Sequence, residues 1–221
     1  MRLVVDHLTK KLGSTEVLTD ISLSVGSGEV LGLAGVNGSG KTMLMRAILG
    51  LIKPTDGDVL IDDKRLGSEL PFPPSVGFLI EAPAFLNGRT GFDNLALLAR
   101  LRGCSNEGAI AQLLNDVGLD PADRRTFKKY SLGMKQRLGI AAAIMGSPDL
   151  IVLDEPTNAL DTSGVRMVQD IVEREKARGA TIVLASHDGS VLSRLSDNVI
   201  HLAEGHIDSE YADASEVEHE G

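Results

Sequence analysis

The chain has 221 residues, 43 % of them hydrophobic and 24 % charged, with a formal net charge of −9. This suits one soluble globular domain with a sizeable core, and the negative balance argues against broad affinity for nucleic acid or anionic membrane unless a local basic patch exists. The single cysteine, Cys104, excludes an internal disulfide, suits a reducing compartment and reads as a small apolar or surface residue.

Short strands are expected first, at Leu3-Val4-Val5 and from Val17 to Val25, where β-branched residues partly alternate with polar ones. The start, Met1 to His7, is broken by charge too early for a secretory signal. Gly26-Ser27-Gly28 turns the chain into Val30-Leu31-Gly32-Leu33-Ala34, apolar enough for a buried strand. After the glycine-rich stretch 35–42 come good helix formers from Met43 to Leu49, ended by Gly50. Asp56-Gly57-Asp58 reads as a turn into a small strand, Val59-Leu60-Ile61. Pro71, Pro73 and Pro74 mark a loop before the strand Val76 to Ile80.

Residues of about 90–146 change character. Apolar positions recur at helical spacing in Leu95, Leu98, Ala99 and Leu101, and again in Ile110, Leu113, Leu114 and Val117, which predicts a helical insertion. Strand and helix then alternate: a strand at Leu150 to Leu153, a helix over about 162–178 and a strand at Thr181 to Ala185. That order implies a mainly parallel sheet flanked by helices, an α/β fold. From Glu204 onward there is no lysine or arginine, and 208–221 reads as a solvated acidic tail to which no function is assigned. No apolar run approaches the roughly 20 residues needed to cross a bilayer, so any membrane role has to come through a partner.

The chemistry concentrates at three strand ends. Gly35-Val36-Asn37-Gly38-Ser39-Gly40-Lys41-Thr42 fits the phosphate-cradling pattern G-x-x-x-x-G-K-[ST] and sits between a predicted strand and a predicted helix, as that pattern requires. Its glycines let successive N–H groups turn toward phosphate oxygens, and the helix start adds a positive dipole end. Lys41 would reach the β- and γ-phosphates and the Thr42 hydroxyl would ligate Mg²⁺; the alternative is a glycine-rich turn that binds nothing. Asp154 and Glu155 follow the strand Leu150 to Leu153 at its carboxyl end, where open parallel sheets place ligands. Alone such a pair is more often a loop start or helix cap. Behind a phosphate loop, Asp154 would hold the metal beside Thr42 and Glu155 would orient or deprotonate an attacking water. His187, in Ser186-His187-Asp188, follows a strand expected beside that of Asp154, so its imidazole would contact the γ-phosphate and the water; a lone histidine is otherwise structural or exposed.

With these residues in order, the chain resembles the nucleotide-binding subunit of an ATP-binding cassette (ABC) transporter over roughly residues 2–207. Tyr130-Ser131-Leu132-Gly133-Met134 resembles the family signature Leu-Ser-Gly-Gly-Gln, Asn158-Ala159-Leu160-Asp161 the segment after the catalytic glutamate, and His187 the switch histidine. The resemblance implies an ATP-binding core with an antiparallel β subdomain and a helical subdomain at about 90–146. It also implies two copies sandwiching two ATP, each site joining one copy's phosphate loop to the other's Ser131 and Gly133, and separate transmembrane permease subunits holding the chain on the cytoplasmic face of the membrane. Ser131 is also a plausible N-cap for a helix running to about Met145.

Three residues depart from the family pattern. Leu132 and Met134 stand for the usual Gly and Gln of the signature. Glu81 stands where most members have glutamine; its oxygen would serve Mg²⁺ or the water while adding negative charge. Leu12 occupies the place of an adenine-stacking aromatic, leaving Val17 to give apolar contact. Ile80-Glu81-Ala82-Pro83-Ala84-Phe85 together with Ser131 to Gln136 resembles a branch of bacterial exporters linked to resistance or immunity against peptide antibiotics such as bacitracin and lantibiotics. The resemblance thus implies Mg²⁺-dependent ATP hydrolysis driving export, with no nucleic-acid partner. Two rivals remain open at this stage: a cassette ATPase acting mechanically or as a regulator on ribosome or DNA, and a cassette that binds nucleotide structurally and hydrolyses it poorly.

Overall fold

The computed structural model describes residues 1–103 and 106–208; Cys104 and all but the first residue of the acidic tail lie outside the described residues. The first elements alternate buried and exposed side chains. β1 (Leu3–Leu12) and β2 (Thr15–Val25) pair antiparallel, with Leu12 opposite Thr15, and they bury Leu3, Val5, Leu8, Leu18 and Ile21 on one face. β3 (Val30–Ala34) is buried throughout and feeds the phosphate-type loop into α1 (Lys41–Ile48). The chain then returns to β1 through β4 (Asp56–Ile61) and ends the sheet with β5 (Lys64–Arg65), giving the order β2-β1-β4-β5.

Asp56-Gly57-Asp58 is therefore not a turn but the first half of β4. Gly57, at φ 73, lies where the register with β1 shifts between Asp6 and Thr9, and a Cβ there would come within 2.2 Å of the His7 carbonyl oxygen. A bulge demands glycine as firmly as a turn does.

β6 (Val76–Leu79) is followed by α2 (Gly91–Leu101), α3 (Glu107–Asp116) and α4 (Leu132–Ile144). The expected apolar stripes hold at Leu95, Ala99, Ile110, Leu114 and Val117, all buried, but Leu101 is 78 % exposed because α2 ends there. Alternation then resumes as β7 (Leu150–Asp154), α5 (Thr162–Ala177), β8 (Thr181–Ala185), α6 (Gly189–Leu195), β9 (Asn198–Ala203) and β10 (His206–Ile207). The second sheet runs β10-β9-β3-β8-β7-β6, parallel except for the antiparallel β10. The fold is thus α/β, with an antiparallel sheet beside a parallel one, as expected; β5, α6, β9 and β10 were not anticipated.

Two apolar cores share the parallel sheet. Ile151, Leu153, Ile182 and Leu184 face the core built with α2 to α6, while Leu150, Val152, Val183 and Ala185 face the core of α1 and the antiparallel sheet. Both faces being covered, these strands read as continuous apolar runs. α4 lies directly on β6: a Cβ at Gly77 would fall 1.6 Å from the Ala143 carbonyl oxygen. Among the described residues no helix is long and apolar enough to cross a membrane.

Candidate functional site

A cavity of about 820 Å³ opens where β3 and β7 end, within the range of small-molecule sites. One wall is the loop from Asn37 into α1. Gly40, at φ 108, caps α1 without a side-chain bond, so the first-turn amides keep no protein partner from the cap. A Cβ on Gly35, at φ 145, would meet the Leu202 carbonyl oxygen at 2.4 Å, so β9 packs tightly beneath the loop. Gly35 and Val36 do not line the cavity; their carbonyl oxygens accept hydrogen bonds from Lys41 Nζ at 2.5 and 3.1 Å, curling the buried lysine back over the loop. Ser39 Oγ is buried without a partner, while Ser39 O accepts the Gly205 N–H at 3.0 Å.

The opposite wall carries carboxylates. Thr42 Oγ1 donates to Asp154 Oδ2 at 2.8 Å. Burial pushes the Asp154 carboxyl up, the Thr42 hydroxyl pulls it down, and nearby Glu155 pushes it up again. A buried carboxylate beside a hydroxyl is a pair of hard oxygen donors short of positive charge. Among the described residues no cluster of three or more His, Cys, Asp or Glu side chains could hold a metal. A hydroxyl and a carboxylate are donor types that Mg²⁺ takes from a protein, its shell being otherwise filled by phosphates and water, so the Thr42–Asp154 pair fits that ion.

Glu155 adopts φ 48, left-handed for a non-glycine residue. Its N–H donates to Ala185 O at 3.0 Å, tying the end of β7 to β8. Its Oε1 accepts the His187 N–H at 3.0 Å, and Oε2 lies 3.0 Å from His187 Nδ1 and 3.4 Å from the Ser186 hydroxyl that donates to it. His187 is thus joined to the site through Glu155.

The remaining expected residues divide. Val17 lines the cavity with Thr15 and Glu16, but Leu12 does not: β1 carries it to the hairpin tip, half exposed. Glu81 lines the cavity at φ 59, with its carboxylate in an ion pair with Arg46, one turn beyond Thr42. Ser131 caps α4, its hydroxyl accepting the Met134 N–H at 3.2 Å. A Cβ on Gly133 would lie 2.8 Å from the Ala159 carbonyl oxygen. Ser131 and Gly133 do not line the cavity; Leu132, Lys135 and Gln136 of the same turn do. Asp161 caps α5, accepting the Gly164 N–H at 2.8 Å, and receives a bond from Arg137. Two contributors escaped the sequence reading: Gln136, whose Nε2 donates to Glu155 O at 2.9 Å, and Glu204-Gly205 in the turn after β9. Gln136 sits inside the signature-like run, yet nothing along the chain says what its amide reaches.

Residues 18–158 match the family model described as ABC transporter. An uncharacterized ABC transporter ATP-binding protein of Bacillus subtilis, YybJ, is 43 % identical over 92 % of this chain and 93 % of its own. A bacitracin transport ATP-binding protein of Enterococcus faecalis is 41 % identical over 91 % of this chain and 66 % of its own length. A lantibiotic transport ATP-binding protein of Streptococcus pyogenes is 36 % identical over 98 % and 94 %. Among solved structures, an ATP-binding subunit of an ABC transporter superposes with a TM-score of 0.85 at 29 % identity, covering 94 % of this chain and 88 % of its own. A dimeric ATP-binding cassette in a post-hydrolysis state, bound to ADP and phosphate, gives 0.84 at 26 % identity, covering 93 % and 96 %. The chain belongs to the ABC transporter family, as an ATP-binding, ATP-hydrolysing subunit.

Proposed function

We propose that this ATPase drives export of a peptide antibiotic, or of a drug or lipid, through separate transmembrane permease subunits, working as two copies that clasp two ATP between them. The loop 35–42 and Lys41 hold the phosphates. Thr42 and Asp154 would hold Mg²⁺, which would neutralise phosphate charge, and Glu81, which lines the same cavity, would assist. Glu155 takes a proton from the attacking water as its oxygen bonds to the γ-phosphorus and the bond to the β–γ bridging oxygen breaks, leaving ADP and phosphate. His187 orients that carboxylate and senses the γ-phosphate. Ser131 and Gly133, at the start of α4, complete the other copy's site, where the helix start offers N–H groups to an anion. Val17 gives the base apolar contact; without an aromatic at Leu12, selectivity for the base rests on weaker contacts. The chain works at the cytoplasmic face of the membrane, held there by its permease.

The observation that carries this reading is the convergence of Lys41, Thr42, Asp154 and Glu155 on one cavity. The relatives named for bacitracin and lantibiotic transport support the cargo class, and the dimeric cassette supports the paired arrangement. Phosphate release by this chain with its permease in vesicles tests it. Turnover stimulated by a peptide antibiotic, and lost in Glu155→Gln, is the expected result; turnover indifferent to permease and peptide would refute the export assignment.

A further inference from the structure

A left-handed φ at a non-glycine residue persists only where its surroundings over-determine it. Around Glu155 those surroundings are countable. Its N–H is held by Ala185, its carboxylate by His187 and Ser186, and its carbonyl oxygen accepts the Asn158 N–H at 3.1 Å and Gln136 Nε2 at 2.9 Å. Ala185, Ser186 and His187 belong to β8 and the loop that follows it, and Asn158 to the loop Glu155 itself begins. Gln136 alone comes from α4, one turn past Ser131 and Gly133, and it is nearly buried, at 9 % exposure.

We infer that Gln136 is a positioning residue for Glu155, a hydrogen-bonded strut by which α4 keeps the Glu155 backbone left-handed and its carboxylate turned to His187 and the cavity. The inference rests on the reading of Glu155 as the water-activating carboxylate. Without the amide, the Glu155 carbonyl keeps only Asn158, a bond local to the loop, and the peptide is free to relax toward negative φ. The carboxylate would then swing off its water. Because the same first turn of α4 carries Ser131 and Gly133, any displacement of α4 against β7 acts on Glu155 through this bond. Closure against a second copy and correct placement of the carboxylate are thereby linked.

Gln136→Met keeps the length and removes the donor; Gln136→Asn keeps an amide but shortens its reach, and serves if the methionine variant folds poorly. Each is compared with the wild-type chain by turnover at saturating MgATP, by equilibrium ATP affinity, by thermal midpoint and by amide hydrogen exchange over 154–160. A misplaced catalytic group lowers turnover by about tenfold or more while ATP affinity stays within about twofold. Exchange at Glu155 to Asn158 rises selectively, with the rest of the chain unchanged. Unchanged turnover and exchange would overturn the inference, and so would a uniform rise in exchange with loss of affinity and melting temperature, which marks a purely structural role. Glu155→Gln, assayed in parallel, separates the two readings: if it turns over like wild type, the role of Glu155 fails, whereas the exchange result still tests the strut.

Discussion

At the scale of single residues, the site rests on pairs whose charges would be costly if left alone. Lys41 is buried and, among the described residues, donates to the Gly35 and Val36 carbonyl oxygens. Those bonds are exchangeable for phosphate oxygens, a better partner for an ammonium. Asp154 is raised by burial before anything else acts on it, so a divalent cation meets a carboxylate with little to lose. Asp154→Asn should therefore raise the Mg²⁺ concentration for half-maximal turnover by about tenfold or more, the scale of one lost charged contact to a cation. ATP affinity measured without Mg²⁺ should change little. A Mg²⁺ titration of turnover beside a metal-free binding isotherm checks both halves. Glu155→Gln keeps the shape and the left-handed backbone but cannot take a proton, and a positioned base is worth roughly 10²–10⁴-fold. Its turnover should fall on that scale with ATP affinity retained, as a phosphate-release assay and a binding isotherm will report. That Lys41, Thr42, Asp154 and Glu155 would meet at one cavity was legible in the sequence, because spacing and flanking strands specify it. That Glu81 would be met by Arg46, or that Leu12 would point away from the cavity, was not legible, since both depend on how loops and hairpins pack.

At the scale of elements, α4 ties the site to the rest of the chain. It lies so close to β6 that Gly77 has no room for a methyl group. Gly77→Ala must push α4 off the sheet, and overpacking of this kind costs about 1–3 kcal/mol. Because Gln136 rides on α4, the variant should also lose turnover beyond what its urea-unfolding midpoint explains. Ser131→Ala removes the cap of the same helix, worth about 1 kcal/mol and a fall in melting temperature of roughly 2–4 °C for a chain of this size. If Ser131 also faces the other copy's nucleotide, association between copies should suffer more than the melting point of the isolated chain. Calorimetry and sedimentation together separate the two effects. β3, β7 and β8 were readable as unbroken apolar runs, and α2 and α3 by apolar positions at helical spacing. β9 and β10 were not, being mixed in composition, with His201 in one and His206 in the other. Their turn nevertheless closes the cavity, as Gly205 bonds Ser39 on one side and Thr19 on the other. Gly57 misled for a related reason: a glycine between two aspartates signals positive φ, and whether turn or bulge uses it is decided by the partner strand.

At the scale of the whole molecule, the proposed pairing of two copies would complete the site. In one chain the phosphate loop and carboxylates line the cavity, while Ser131 and Gly133 sit at the edge of α4 without lining it, and Val36 and Leu132 leave large apolar side chains 74 % and 71 % exposed on either side. Under the proposed pairing a second copy would cover both side chains. In that pairing a nucleotide bound by one copy and capped by the other would stabilise the pair only while the γ-phosphate remains, since ligands shift an equilibrium by their difference in affinity for its two states. Blocking hydrolysis must therefore hold the pair shut. Glu155→Gln with MgATP should sediment as a dimer, and it should return to monomer with ADP, or when EDTA strips the metal. The wild-type chain under turnover should remain largely monomeric. Adding Leu132→Glu to Glu155→Gln places a negative charge between Ser131 and Gly133, which in the proposed pairing face the other copy's phosphates, and should weaken the ATP-dependent dimer by about tenfold or more, the effect of a like-charge mismatch at an interface. Leu132 also lines this chain's own cavity, so the ATP affinity of the monomer is measured alongside and the loss of dimer must exceed any loss of that affinity. A dimer in ADP as stable as in ATP would mean that the copies associate through some other face.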